Sequence, residues 1–171
     1  MRKYILLGGF LMLWGCGSSK NLQYVVPELD LERYMGTWYE IARFNHPFER
    51  GLISNQAKYT LRKDGKVQVL NTGIESDNPE KVKKAEAVAY RASEKKNGHL
   101  KVRFFPLISS HYIVIDLDKN YQYAVVTSNS KKYLWILSRS KTMSETLYQR
   151  LTEKLQERGF KTQNLIRVTQ L

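Results

Sequence analysis

Between residues 38 and 138 the chain is a run of short β-rich segments, with a turn signal between most neighbours and no helical period among them. Such a run must fold as antiparallel all-β structure, because parallel strands need crossovers of a dozen or more residues. The segments are 38–44, 56–61, 67–70, 85–91, 100–105, 112–117, 123–127 and 133–138. Asp64-Gly65 between the second and third is a hairpin signal, since Gly tolerates positive φ. Asn97-Gly98, Asp118-Lys119-Asn120 and Ser128-Asn129-Ser130 punctuate later connections. One helix follows: Thr142-Met143-Ser144-Glu145 fits a capping box, Leu147, Leu151 and Leu155 form one apolar stripe, and Gly159 is a stop. A last extended piece, 165–168, is short enough to add one more strand. Eight antiparallel segments and one docking helix point to an eight-stranded up-and-down β-barrel with the C-terminal α-helix packed on its outside. A β-sandwich is the alternative that periodicity leaves open.

The N-terminus has a separate logic. Arg2 and Lys3 precede an apolar run, residues 4–14, that is too short to span a bilayer as a helix. Residues 1–15 therefore read as a signal peptide. Cys16 is the only cysteine, so no internal disulfide can form, and it directly follows Leu13-Trp14-Gly15. That junction resembles the lipobox of bacterial lipoproteins, which implies a lipid anchor on Cys16 as the first mature residue. Residues 16–27 then form the lipidated N-terminus and tether, and 28–171 the barrel domain. Without Arg2 and Lys3 the formal net charge of +12 becomes +10. In an exported protein such a charge favours a membrane over nucleic acid as partner, and equally serves simple solubility.

The stretch Gly36-Thr37-Trp38-Tyr39-Glu40-Ile41-Ala42-Arg43 resembles the first motif of the lipocalin family. Arg33-Tyr34 before it, with Phe44-Asn45-His46 and 48–52 after it, are similar to bacterial outer-membrane lipocalins, relatives of apolipoprotein D. Residues 112–117 with Asp118 and Tyr121 occupy the place of the second motif, and 133–139 match the third. The resemblance implies that Trp38 plugs the closed end of the barrel and that Arg139 lies across its ring as a cation–π contact. Gly36 permits the tight start of that strand. These three are structural expectations. The sorting rule for such lipoproteins, with no Asp after the Cys, implies an outer-membrane lipoprotein facing the periplasm.

Side chains alternate along a strand, so an inward Arg139 sets Leu137, Trp135 and Tyr133 inward. The same step from Trp38 sets Glu40, Ala42 and Phe44 inward. The family alignment implies Ala57 and Tyr59, Val69 and Asn71, Val102 and Phe104, and Tyr112 and Val114 on the same face. An inward phase for Ala85, Ala87 and Ala89 leaves volume for a guest, whereas the opposite phase buries Val88 and Tyr90. The expected ligand contacts are thus Ala42, Phe44, Ala57, Tyr59, Val69, Asn71, Ala87, Ala89, Val102, Phe104, Tyr112, Val114, Tyr133 and Trp135. An apolar lining with a few polar groups suits a small amphipathic ligand, and the resemblance implies a fatty acid or lysophospholipid stored or carried during membrane maintenance under stress. A barrel filled by its own side chains, acting as an envelope structural lipoprotein, is the alternative. Glu40 faces that interior either paired with a base near the floor or neutral.

Catalysis has little support. His46, His99 and His111 lie on separate segments without metal spacing and read as surface or rim residues. No phosphate loop or nucleophile motif occurs, and the one thiol sits at the anchor position, so no enzyme, metal or cofactor is expected. Phe48 and Leu52 fall in the first mouth loop, where they would serve as a lid, a membrane contact or a homodimer patch.

Overall fold

The computed structural model describes residues 20–104 and 108–171. The expected signal peptide, Cys16, the start of the tether and Phe105 lie outside the described residues. Eight strands meander antiparallel: β1 (Gly36–Phe44), β2 (Leu52–Leu61), β3 (Val67–Glu75), β4 (Asn78–Arg91), β5 (His99–Phe104), β6 (Ile108–Leu117), β7 (Tyr123–Thr127) and β8 (Leu134–Ser138). β8 returns to pair with β1, and β1 also pairs with β2 through Gly36↔Tyr59 and Trp38↔Ala57, so the sheet closes. Closure removes the exposed edges that an open sheet would carry. Past Tyr39 the β1–β2 pairing ends, and β9 (Leu165–Arg167) takes over beside Ala42–Phe44.

Two hydrophobic cores share this wall. Inside the barrel, Trp38, Tyr59, Val69, Ala87, Val102, Val114, Val126 and Leu137 pack with Tyr34 of α1 (Leu31–Tyr34). On the outer face, Ile113, Ile115, Val125, Leu134 and Ile136 meet Leu151, Leu155 and Phe160. α2 (Glu145–Glu157) supplies the two leucines through its apolar stripe. Its N-cap is Ser144, whose hydroxyl accepts from Leu147 N, rather than the Thr142 a capping box would use. Gly159 ends it at φ +76°.

The strands are longer toward one end than their apolar patterns indicate. β2, β3, β4 and β6 extend to Leu52, Glu75, Asn78 and Ile108. Every residue from 78 to 86 is exposed, so no face there carries a burial signal, and the backbone ladder holds the extension together with ion pairs from Lys81 and Lys83 to Glu75. This projecting end is the mouth. The floor lies at the start of β1.

Candidate functional site

The floor is built from three chain segments. Asp30 caps α1 by accepting from the backbone N–H of Glu32 and Arg33. The helix delivers Tyr34, whose ring lies 4.9 Å from that of Trp38 and whose carbonyl accepts the indole N–H at 2.8 Å. Arg139 covers the other side, its guanidinium carbon 3.9 Å from the Trp38 ring centroid. Its N–H groups donate to the carbonyls of Tyr121, Thr37 and Arg33. Gly36 has φ +97°, and a Cβ there would stand 3.2 Å from Arg139 Nη1. Gly36, Trp38 and Arg139, expected as structural residues, thus meet at the start of β1.

Above the floor sits a layer of hydroxyls. Tyr112 Oη is 2.7 Å from Tyr34 Oη and 3.0 Å from Tyr59 Oη. Burial pushes all three phenols above their ordinary range. Between this layer and α1 remains a void of about 10 Å³, room for one water-sized sphere, beside Leu31, Met35, Val67 and Leu100. The lower half of the barrel is therefore filled by its own side chains.

The register places an open row directly over the tyrosines. Tyr59, Val69, Ala87 and Phe104 pair across four strands, and the next inward positions toward the mouth are Ala57, Asn71 and Ala85. Ala85 is exposed and Asn71 half-buried, so solvent reaches the inner wall at this level. The alanine phase left open by the sequence is thus settled. Ala87 and Ala89 are buried inside, and Val88 and Tyr90 lie outside with Arg62, Lys66 and Arg103.

Beside this row, on β1 and the start of β2, the wall is charged. Arg43, 2% exposed, donates to the carbonyls of Glu49 (2.7 Å) and Leu52 (3.0 Å), and its Nη1 lies 3.4 Å from both Glu40 Oε2 and Asn55 Oδ1. Glu49 accepts from Trp135 Nε1 at 3.1 Å, with His46 Nε2 2.9 Å away. Burial, with Glu49 nearby, pushes the Glu40 carboxyl well up. Burial opposes charge on Glu49 too, but His46, Trp135 and Arg43 overcome it and bring its pKa below the ordinary value. Glu40 therefore holds a proton more readily than Glu49, and its base comes from the mouth side, not from the floor.

Most expected lining residues belong to this interior. Ala57, Tyr59, Val69, Ala87, Ala89, Val102 and Val114 are in its core, with Phe104, Tyr112 and Trp135 packed against it. Tyr133 stacks on Trp135 at 6.2 Å. Ala42 and Phe44 do not line it. The β1–β8 register shifts between Glu40↔Leu137 and Ala42↔Ile136, a bulge that turns Ala42 and Phe44 into the outer core and Arg43 inward beside Trp135. Strict alternation from Trp38 could not show the inserted residue. The bulge turns Arg43 inward, while the loop after β1 brings Glu49 to it and a separate register shift in β2 brings Asn55, contacts that alternation along β1 does not encode. His46 and His99 also correct the expectation of surface histidines, at 4% and 7% exposure. His99 Nε2 lies 2.7 Å from His111 Nδ1 on the outer wall. Phe48 is 71% exposed at the mouth and Leu52 half-buried. No group of three or more metal-ligating side chains occurs among the described residues.

Residues 29–170 match the Lipocalin-like domain family. The chain belongs to that family. This lipocalin is 40% identical to the outer membrane lipoprotein Blc of Vibrio cholerae, over 99% of both chains. It is 42% identical to the Escherichia coli K12 protein of the same name, over 85% of this chain and 82% of that one. Apolipoprotein D of Cavia porcellus is 33% identical over 71% of this lipocalin and 66% of its own length. Among solved structures, apocrustacyanin C2 superposes with a TM-score of 0.72 at 17% identity, covering 91% of this lipocalin and 88% of its own chain. Insecticyanin from Manduca sexta gives 0.69 at 20% identity, covering 84% and 82%. At those identities the likeness is one of fold.

Proposed function

We propose that this lipocalin binds a small amphipathic lipid, a fatty acid or lysophospholipid, at the bacterial outer membrane, and that its role is binding or carriage rather than catalysis. The observation that carries this reading is the inner wall toward the mouth. Ala57 and Ala85 flank half-buried Asn71 beside the hydrogen-bonded charge of Arg43, Glu40 and Glu49, so a hydrocarbon tail has small side chains to lie against and a headgroup has polar partners near the mouth. The relatives named outer membrane lipoprotein support the location. In this reading residues 1–15 are removed and lipid on Cys16 holds the domain, facing the periplasm. Of the expected tether 16–27, residues 21–26 instead pack on the barrel, where Asn21 is 1% exposed and donates to Ser128 O, and Val26 N donates to Val114 O. Several acyl chains on one residue anchor more firmly than a single chain.

The filled lower half favours a second reading, an envelope lipoprotein whose barrel is closed to ligands and whose loops bind another protein, a second copy included. Native mass spectrometry of the purified full chain separates the two. Lipid binding expects a retained fatty acid or lysophospholipid that is lost in Trp135→Glu. Protein that captures no lipid, with tryptophan fluorescence unchanged on titration with lysophosphatidylcholine, overturns it.

A further inference from the structure

Tyr34, Tyr59 and Tyr112 bring three hydroxyl protons to one place but share only two oxygen–oxygen contacts, both through Tyr112. Each contact consumes one proton. The third O–H has no oxygen or nitrogen to donate to among the described hydrogen bonds, while the oxygens keep unused lone pairs. A buried donor left without an acceptor is costly, which makes this layer a place where an incoming oxygen is rewarded. We propose that the tyrosine layer is a polar end-stop that recognises an oxygen on the buried end of the ligand, so that this lipocalin prefers a lipid with a hydroxylated or keto-bearing tail end over one ending in a plain methyl. The proposal rests on the lipid-binding reading and specifies the class of lipid.

Position supports it. Tyr59 is the next inward residue below Ala57 on the same strand, so a tail that passes down β2 from the row of Ala57, Asn71 and Ala85 meets the tyrosine layer. Tyr112 is half-buried, whereas Tyr34 and Tyr59 are 1% and 7% exposed, so the central hydroxyl belongs to the most accessible of the three residues. A terminal alcohol fits both needs, accepting the spare phenolic proton and donating its own to a free lone pair. A charged headgroup does not fit. The nearest guanidinium on the floor side, Arg139, already donates to three carbonyls, and the unpaired charge would be desolvated at the layer. The tail therefore enters first and its end meets the tyrosines.

The test is a matched pair of probes, palmitate and ω-hydroxypalmitate, titrated into the full chain by tryptophan fluorescence and calorimetry. The hydroxylated probe is expected to bind about two- to tenfold more tightly, the range one added net hydrogen bond gives. In the Tyr34→Phe/Tyr59→Phe/Tyr112→Phe variant, which removes the spare proton together with both contacts, the ratio of the two dissociation constants falls toward one, whatever happens to the absolute affinities. Equal affinities in the wild type, or a ratio unmoved in the folded triple variant, overturns the inference and leaves lipid binding standing. If neither probe binds, both the inference and the reading beneath it are overturned.

Discussion

Arg139 lies over Trp38 at 3.9 Å, and its guanidinium reaches past the ring to the carbonyl of Thr37, the residue just before it. The pair thus ties the end of β8 to the start of β1 and, through Arg33 O, to α1. Arg suits the position because its planar cation can stack and donate in the plane at once. Lys could do only one of these.

Trp38→Ala is expected to destabilise by about 3–5 kcal/mol, since a fully buried indole is removed from a packed floor. Arg139→Lys should cost less, and the double variant less than the sum, with a coupling on the order of 1 kcal/mol. Urea unfolding of the four proteins measures this, and strict additivity would remove the cation–π contact from the account.

Gly36→Ala should lose about 1–2 kcal/mol, because a side chain is strained at φ +97° and its Cβ presses on Arg139. The melting temperature is the readout. An unchanged value would mean the backbone relaxes there at no cost.

Arg43→Met leaves Glu40 and Glu49 facing each other in the interior without their cation and frees the mouth loop at Glu49 O and Leu52 O. The expected loss is about 3–5 kcal/mol. Glu40→Gln should change stability by less than about 1 kcal/mol, since burial and the neighbouring Glu49 disfavour the charged carboxyl and raise its pKa. Comparison of their urea midpoints at neutral pH checks both, and a larger loss in Glu40→Gln would reverse the assignment.

His99 and His111 supply an acid response. Burial, then for His99 the neighbouring His111 and nearby lysines, lowers both pKa values below the ordinary one. The unfolded chain then takes up protons first, so the pair's stabilisation is complete above about pH 6.5 and declines as pH falls through the depressed folded values. Glu40 slopes the other way, gaining stability as pH drops from its raised pKa. The difference in melting temperature between wild type and His99→Gln/His111→Gln, followed from pH 7.5 to 5, isolates the pair. The wild type should lose more as the pH falls.

Much of the barrel was legible because burial leaves a periodic trace. Where one face of a strand is covered, as at Val67–Val69 or Leu100–Phe104, alternation marks both the segment and its facing. Toward the mouth neither face is covered, and residues 78–84 carry no trace of the strand they form. The outward turn of Ala42 and Phe44 was hidden for another reason. A single inserted residue at Ile41 reverses the phase, and only pairing with Ile136 and Trp135 across β8 reveals it.

The amino-acid order alone thus determined antiparallel strands and one docking helix, since local turn chemistry and alternating burial are written residue by residue, while the closed barrel and the Trp38–Arg139 floor were implied by the lipocalin resemblance. Which side chains share the interior was decided by tertiary structure. Arg43 against Glu49, and Tyr112 between Tyr34 and Tyr59, are neighbours only because bulge and register bring distant strands into one layer, and no local pattern encodes that distance.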